Sequence, residues 1–318
     1  MTRLSKFRAC PLCEAICGLE LQYEAGNLTA IRGDEADPFS RGHICPKGNA
    51  ILDLENDPDR LRRPMRRIGD DWQEIGWDEA FTLVGERLAA IQAEHGPDSV
   101  AAYLGNPNVH HFGHIAYLPF LLKLVRSRNV FSASSVDQWP HQLVNAQMYG
   151  HQFLLPVPDI DNTDYFLMLG ANPIASNGSL MTVPDVRERI KALTARGKLT
   201  VIDPRRTETA LLASAHHFIK PAGDVYFLIA FMQVLMQAGE ARIEAYAGKL
   251  NGFAEALSAI SAFRIENLQA LAGIAPETIT ALAGDFYRAD SAVAYGRMGV
   301  SVQAHGTLCQ WLMQLINI

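Results

Sequence analysis

The chain of 318 residues is long enough for about two domains. Its 48% hydrophobic and 19% charged residues exclude wholesale disorder. The net charge of -6 excludes a general attraction to nucleic acid or anionic lipid, and no apolar run of about eighteen residues offers a membrane-spanning helix.

Met1 to Arg8 is short and polar, without the apolar stretch of an export signal. Four of the five cysteines follow within the first forty-five residues, as Cys10-x2-Cys13-x3-Cys17 and then Cys45-Pro46. Three crowded thiolates and one distant thiolate suit an iron-sulfur cube, which takes one thiolate per iron. Structural zinc usually shows two matched Cys-x2-Cys knuckles, and here there is one. Zinc, redox chemistry and unliganded thiols stay open as alternatives. With these four assigned to metal, Cys309 is left alone, which suits a reducing, cytoplasmic setting.

Gly18 to Tyr23 and Leu28 to Ile31 alternate around Ala25-Gly26-Asn27, which predicts a β-hairpin, and a small metal domain is expected over residues 1–60. Asp57 to Pro64 reads as a solvated linker. A helix is expected from Asp78, as N-cap, to Gly96-Pro97, followed by a strand at Ser99 to Leu104. Helices at Ile115 to Arg126, His141 to Tyr149, Asp185 to Arg196 and Asp224 to Gln237 then alternate with strands. Those strands are Asn129 to Ser132, Tyr165 to Leu169 and Leu199 to Asp203. Such alternation means βαβ units on a parallel sheet, so the fold class is α/β, a β-rich N-terminal metal domain preceding Rossmann-like domains. His216-His217 should precede a strand at Phe218-Ile219. Glu240 to Asp290 reads as helical throughout, with capping candidates Asn267 and Pro276. Ala292 to Gly296 returns to strand, and the last residues form an apolar helix pattern without a stop signal, as if cut in mid-element.

Ligands of parallel sheets bind beyond the carboxyl ends of the strands. Three such ends carry polar loops. Gly170-Ala171-Asn172-Pro173 is either a plain turn or a cradle for a pyrophosphate. Asp203-Pro204-Arg205-Arg206-Thr207-Glu208-Thr209 offers a carboxylate for ribose hydroxyls and arginines for phosphate, or else a helix cap. No G-x-G-x-x-G precedes it, so a nicotinamide dinucleotide is not expected. In the third loop Asp137 is either the N-cap of the helix around His141 or a carboxylate ligand to a hard metal, and on spacing alone the cap takes precedence. His110, His111 and His114 read as a solvated loop, with a substrate funnel as the alternative.

Jointly, Cys45-Pro46-Lys47-Gly48, Gly170 to Pro173, Asp203 to Thr209 and Tyr295-Gly296-Arg297-Met298-Gly299 resemble the molybdopterin guanine dinucleotide oxidoreductases, the superfamily of formate dehydrogenases, nitrate reductases and dimethyl sulfoxide reductase. The resemblance covers the whole chain as the N-terminal part of a catalytic subunit. It implies a 4Fe-4S cluster on Cys10, Cys13, Cys17 and Cys45, and a bis-molybdopterin guanine dinucleotide cofactor with molybdenum or tungsten. Gly170, Asn172, Pro173, Asp203, Pro204, Arg205, Arg206 and Thr207 would contact its nucleotide and phosphate arms. Lys47 matches the lysine between cluster and pterin, and Lys220-Pro221-Ala222-Gly223-Asp224 resembles a Lys-Pro-Gly-Thr-Asp segment, adding Gly223 and Asp224. Asp137 falls where formate dehydrogenases carry cysteine or selenocysteine on the metal, but Gln138 replaces the following histidine.

The domains implied are residues 1–60 for the cluster, 61–130 for a first α/β domain completed beyond the chain end, and 131–318 for nucleotide binding. The activity implied is two-electron oxidation or reduction of a small molecule, with electrons leaving through the cluster to a partner protein or subunit. A non-redox hydratase on the same scaffold and a fragment retaining only its cluster are the rivals.

Overall fold

The computed structural model describes residues 3–239 and 248–318, so residues 240–247 of the long predicted helical stretch lie outside the described residues. Contacts divide the chain into two compact bodies, Met1–Ala133 with Thr182–Pro184, and Ser134–Met181 with Asp185–Ile318.

The first body opens with a three-stranded antiparallel sheet, β1 (Arg3–Ala9), β2 (Gly18–Glu24) and β3 (Asn27–Gly33). The hairpin predicted for β2 and β3 turns at Ala25 and Gly26, both at positive φ, and β1 adds a strand that the sequence reading left out. Cys10, Ala15, Cys17, Leu19, Leu21 and Ile31 form its small buried core, so the cysteines belong to the packing as well as to the site. Two short helices follow, α1 (Pro46–Asn49) and α2 (Ile51–Asn56), then a two-stranded ribbon of β4 (Met65–Ile68) and β5 (Asp71–Glu74).

Helix α3 (Trp77–His95) has Gly76 and not Asp78 at the cap position. Asp78 lies in the first turn, where its charge favours the positive helix end without a capping hydrogen bond. Strands β6 (Ala102–Leu104) and β7 (Val130–Ser132) pair in parallel around α4 (Phe112–Val125). Neither α3 nor α4 has a fully buried residue, and Phe81, Phe112, Tyr117 and Phe120 are exposed.

The second body begins with α5 (Ser134–Asp137) and α6 (Trp139–Tyr149). It is built on a four-stranded parallel sheet of β8 (Tyr165–Leu169), β9 (Lys198–Ile202), β10 (Ala215–His217) and β11 (Ala292–Gly296), in spatial order β10-β9-β8-β11. The connecting helices are α7 (Pro173–Ser176), α8 (Val186–Arg196), α9 (Asp224–Ala238), α10 (Phe253–Ser261), α11 (Ile265–Ala272), α12 (Pro276–Arg288), α13 (Met298–Ser301) and α14 (Gly306–Asn317).

All five β8 residues are buried, as expected of a strand covered on both faces. Tyr165, Leu167 and Leu169 join the core of α9, α12 and α14, where Phe231 meets Phe286 edge-on at 5.6 Å. Phe166, on the other face, packs edge-on against Tyr295. Where the sequence suggested continuous helix, the described residues form three. Gly273 at φ +76 ends α11 and Pro276 opens α12 as predicted, whereas Asn267 lies inside α11 and caps nothing. The predicted strand at Phe218-Ile219 falls instead at Ala215–His217, because His217 and not Phe218 continues the pairing with β9. No described helix is long and apolar enough to cross a membrane.

The chain runs from β8 through β9 to β10 in one direction, then returns to place β11 on the other side of β8. The strand order therefore reverses between β8 and β11, and a crevice at their carboxyl ends is where such sheets bind ligands.

Candidate functional site

In the first body, Cys10 directly follows β1 and Cys17 directly precedes β2, so the ladder between these strands sets their spacing. Cys10 N–H donates to the Cys17 carbonyl at 2.8 Å, and Cys13 lies in the loop between them. Asp37 clamps the returning loop: its Oδ2 accepts from the Ser40 amide at 2.6 Å and hydroxyl at 2.5 Å, while Gly18 N–H donates to the same hydroxyl at 3.0 Å. These donors hold the Asp37 carboxyl below its usual range. Cys45 then occupies the cap position of α1, ahead of Pro46 and Lys47. Gly48 is buried where a Cβ would stand 4.0 Å from Cys10 Sγ, which brings the fourth cysteine's turn against the first cysteine.

No disulfide joins the cysteines. Burial pushes the Cys17 thiol up to about 11, with the neighbouring Cys10, Cys13 and Cys45 adding to the shift, and burial likewise raises Cys10. With their ionisation opposed by burial and by the neighbouring thiols, Cys10 and Cys17 need a positive centre to exist as thiolates. Among the described residues, no three His, Cys, Asp or Glu side chains sit tightly enough for a single metal ion. A cube takes one thiolate per iron, so four cysteines on one small core supply its donor set.

One residue beside this loop runs against the sequence reading. His110, expected in a solvated loop, has a side chain only 7% exposed, with Nε2 3.9 Å from Glu14 Oε1 between Cys13 and Cys17. Lys47 is exposed on α1.

In the second body, the loops after all four strands converge. Asn172 ties the β8 loop to the β9 loop: its Oδ1 accepts from the Thr209 hydroxyl at 2.7 Å and amide at 3.2 Å, and its Nδ2 donates to Glu208 at 2.7 Å. Asp203 Oδ1 accepts from the Arg205 amide at 2.8 Å in a turn that leads into no helix, so its alternative as a helix cap falls away. Pro204 fits that turn, Arg205 pairs with Glu208 at 3.6 Å, Arg206 is exposed, and Thr207 is buried with its hydroxyl on the Ala210 amide.

After β10, Gly223 packs so closely that a Cβ would fall 2.8 Å from the Lys220 carbonyl oxygen. The buried Asp224 next to it accepts from Gln303 Nε2 at 2.9 Å. Burial raises its carboxyl, and the charge of Asp203 adds to the rise.

Asp137 ends α5, and the cap position of α6 belongs to Gln138, so the capping role that spacing favoured is not the one it plays. Its Oδ1 is buried and takes no hydrogen bond, although the residue is engaged otherwise. Helix α5 packs against α13, which places Asp137 on the β11 side of the crevice. His141 is buried there with Nε2 3.1 Å from the Gly296 carbonyl and Nδ1 3.4 Å from the Ser301 hydroxyl. Burial, reinforced by the Arg297 charge, lowers its imidazole to about 4.

Arg297 Nη1 and Gln303 Oε1 are both buried without hydrogen-bond partners. Orphaned polar atoms at a strand-order switch fit a polar cofactor in the crevice. Sequence reasoning gave neither residue a role, since only the folded loops set them beside Asp224 and His141.

A family model for molybdopterin oxidoreductase matches residues 60–316. The chain belongs to the molybdopterin oxidoreductases. The family's Fe4S4 domain matches residues 8–57, the stretch that holds Cys10, Cys13, Cys17 and Cys45, and the cofactors are a 4Fe-4S cluster and a molybdopterin carrying molybdenum or tungsten.

Formate dehydrogenase H of Escherichia coli (strain K12) is 27% identical over 92% of this chain and 41% of its own. The F420-dependent formate dehydrogenase 2 subunit alpha of Methanococcus maripaludis is 24% identical over 93% and 43%, and a nitrate reductase of Shewanella frigidimarina 31% over 68% and 23%. The solved acetylene hydratase from Pelobacter acetylenicus has the same fold, with a TM-score of 0.79 and 20% identity over 98% of this chain and 42% of that one. The chain spans less than half the length of these relatives.

Proposed function

We propose that this chain is the N-terminal part of a catalytic subunit that oxidises or reduces a small molecule at molybdenum or tungsten, passing electrons through the cluster to a partner protein. The cofactors supply two-electron exchange with the substrate and one-electron transfer onward. The observation that carries the proposal is the joint presence of a cysteine quartet around the small core of the first body and orphaned polar atoms at the strand-order switch of the second.

Cys10, Cys13, Cys17 and Cys45 would hold the iron, and Lys47, exposed on α1 beside Cys45, would supply a cation near the cluster. Asp137 offers a hard oxygen to the metal, a donor that favours its higher oxidation states. Gly170, Pro173 and the Asp203 to Thr207 turn bind the guanine dinucleotide arms of a bis-pterin cofactor, and Gly223 and Asp224 close that subsite. Asn172 serves by fixing one loop to the other. Residues 1–60, 61–130 and 131–318 act as cluster domain, first α/β domain and nucleotide domain. Four cysteines reserved for iron and a lone Cys309 leave no disulfide framework, which supports a cytoplasmic protein.

Anaerobically purified protein should contain about four irons per chain, with a reducible cluster signal and stoichiometric metal. Turnover with formate or nitrate should require an electron acceptor or donor. Turnover that needs neither would replace this reading with the hydratase, and protein that stays colourless after cluster reconstitution would end it.

A further inference from the structure

Arg297 follows β11 directly, and its backbone is locked. Its N–H donates to the Leu169 carbonyl at 3.3 Å, and its own carbonyl accepts from Val300 at 3.0 Å and Ser301 at 3.1 Å. The guanidinium therefore has a defined origin at the switch between β8 and β11. Its Nη1 is shut off from solvent with no hydrogen-bond partner.

The side chains that bond its neighbours Gly296 and Ser301 are already committed. His141 directs its two ring nitrogens at the Gly296 carbonyl and the Ser301 hydroxyl, and Gln310 Nε2 donates to that same hydroxyl at 3.0 Å. His141, held neutral by burial and the Arg297 charge, does not add a second positive charge there, and an imidazole offers no negative one. A buried guanidinium N–H without an acceptor is costly, and arginine's planar fork matches the paired oxygens of carboxylates, nitrate and phosphates.

We infer that Arg297 is an oxyanion-binding residue at the carboxyl end of β11. The inference rests on the reading of this crevice as the cofactor site, and it adds a residue to which the sequence reading gave no role. The shared chemistry is a planar or tetrahedral group with at least two anionic oxygens. Two sources carry it, the pyrophosphate of the dinucleotide and an anionic substrate.

The test uses cofactor-loaded protein, with Arg297→Gln and Arg297→Lys beside the parent. Guanine nucleotide released per chain reads the phosphate source, and the affinity for nitrate and formate, measured from shifts of the metal's paramagnetic resonance, reads the substrate source. Arg297→Gln should lower one of these about tenfold, the order of one charge-assisted hydrogen bond, while Arg297→Lys keeps most of it. Nucleotide loss assigns the pyrophosphate; weakened nitrate or formate binding at full nucleotide content assigns the substrate.

Unchanged nucleotide and unchanged affinity in Arg297→Gln overturn the inference. A lysine variant as impaired as the glutamine variant also overturns it, because positive charge is then not what the position supplies. A parent lacking metal would instead count against the cofactor reading. In that event inorganic pyrophosphate is titrated onto the cofactor-free chain by thermal shift, and equal shifts for the parent and Arg297→Gln overturn the inference on their own.

Discussion

Gly170 and Gly299 meet backbone to backbone: Gly299 N–H donates to the Gly170 carbonyl at 3.0 Å, and a Cβ on Gly299 would lie 2.8 Å from Gly170 Cα. The contact joins the loop after β8 to the loop after β11, so the walls of the crevice are registered through two residues that cannot carry side chains. Gly170 also sits at φ +52, a left-handed conformation that suits glycine.

Gly299→Ala should therefore force these loops apart. The expected loss is about 1–3 kcal/mol of stability, the range for overpacking a fixed site, together with reduced nucleotide content. Gly85→Ala in the exposed interior of α3, where a Cβ meets nothing within 4 Å, should stabilise by up to about 1 kcal/mol and serves as control. Denaturant unfolding and nucleotide release check both. A Gly299→Ala protein as stable and as loaded as the parent would show that the contact is not needed.

Much of this architecture is legible in the sequence because it is written locally. Tyr165 to Leu169 and Ala292 to Gly296 are continuous apolar runs, and the structure gives strands with those bounds. The cysteine quartet is legible because a cluster imposes its spacing on the chain. What escaped notice depends on tertiary neighbours. The helix N-terminus favours any carboxylate nearby, so Asp78 resembled a cap although Gly76 holds that position. Asp137 resembled one for the same reason, while Gln138 stands at the start of α6. The approach of Arg297 to His141 joins residues 156 positions apart, and no pattern of period 2 or 3.6 encodes it.

Cys17→Ala should abolish normal cluster assembly. The side chain is buried and its thiol faces three others, so alanine removes one corner ligand without opening a route for solvent. Iron should fall well below about four per chain, with loss of the reducible signal. Cys309→Ala is the contrast, because Cys309 lies in the α14 core where burial pushes its thiol up to about 12. It should retain full iron content and lose only packing energy. Iron analysis and low-temperature paramagnetic resonance separate the two, and a Cys17→Ala protein with full iron would remove Cys17 from the ligand set.

Asp137→Ala tests the hard-oxygen ligand. Since Gln138 takes the cap position, the helix itself should tolerate the change, and the variant should fold with unaltered iron. If Asp137 holds the metal, the metal's absorption and paramagnetic spectra shift and turnover disappears. Asp137→Cys, a thiolate at the same position, should restore a bound but spectrally different metal. Unchanged spectra and turnover in the alanine variant would reassign Asp137 to local structure.

His141 gives the fold an acid-sensitive element whose sign follows from its shift. In the unfolded chain an imidazole takes its proton near 6.5, whereas folded His141 takes one only near 4, because burial and the Arg297 charge oppose it. Between those values the unfolded state binds more protons, so stability is fully present above about pH 6.5 and falls as pH drops toward 4. The shift sets an upper limit of roughly 3 kcal/mol on that loss. His217 is also lowered, mainly by burial, and contributes in the same direction, so the decisive quantity is a difference between proteins. Thermal unfolding followed from pH 7 to pH 4 should show a shallower decline for His141→Gln than for the parent, although the variant starts lower by losing a ring that bonds Gly296 and Ser301. Parallel declines would mean that the imidazole is charged inside the fold, and the buried positive charge of Arg297 would then need a counter-ion within the protein itself.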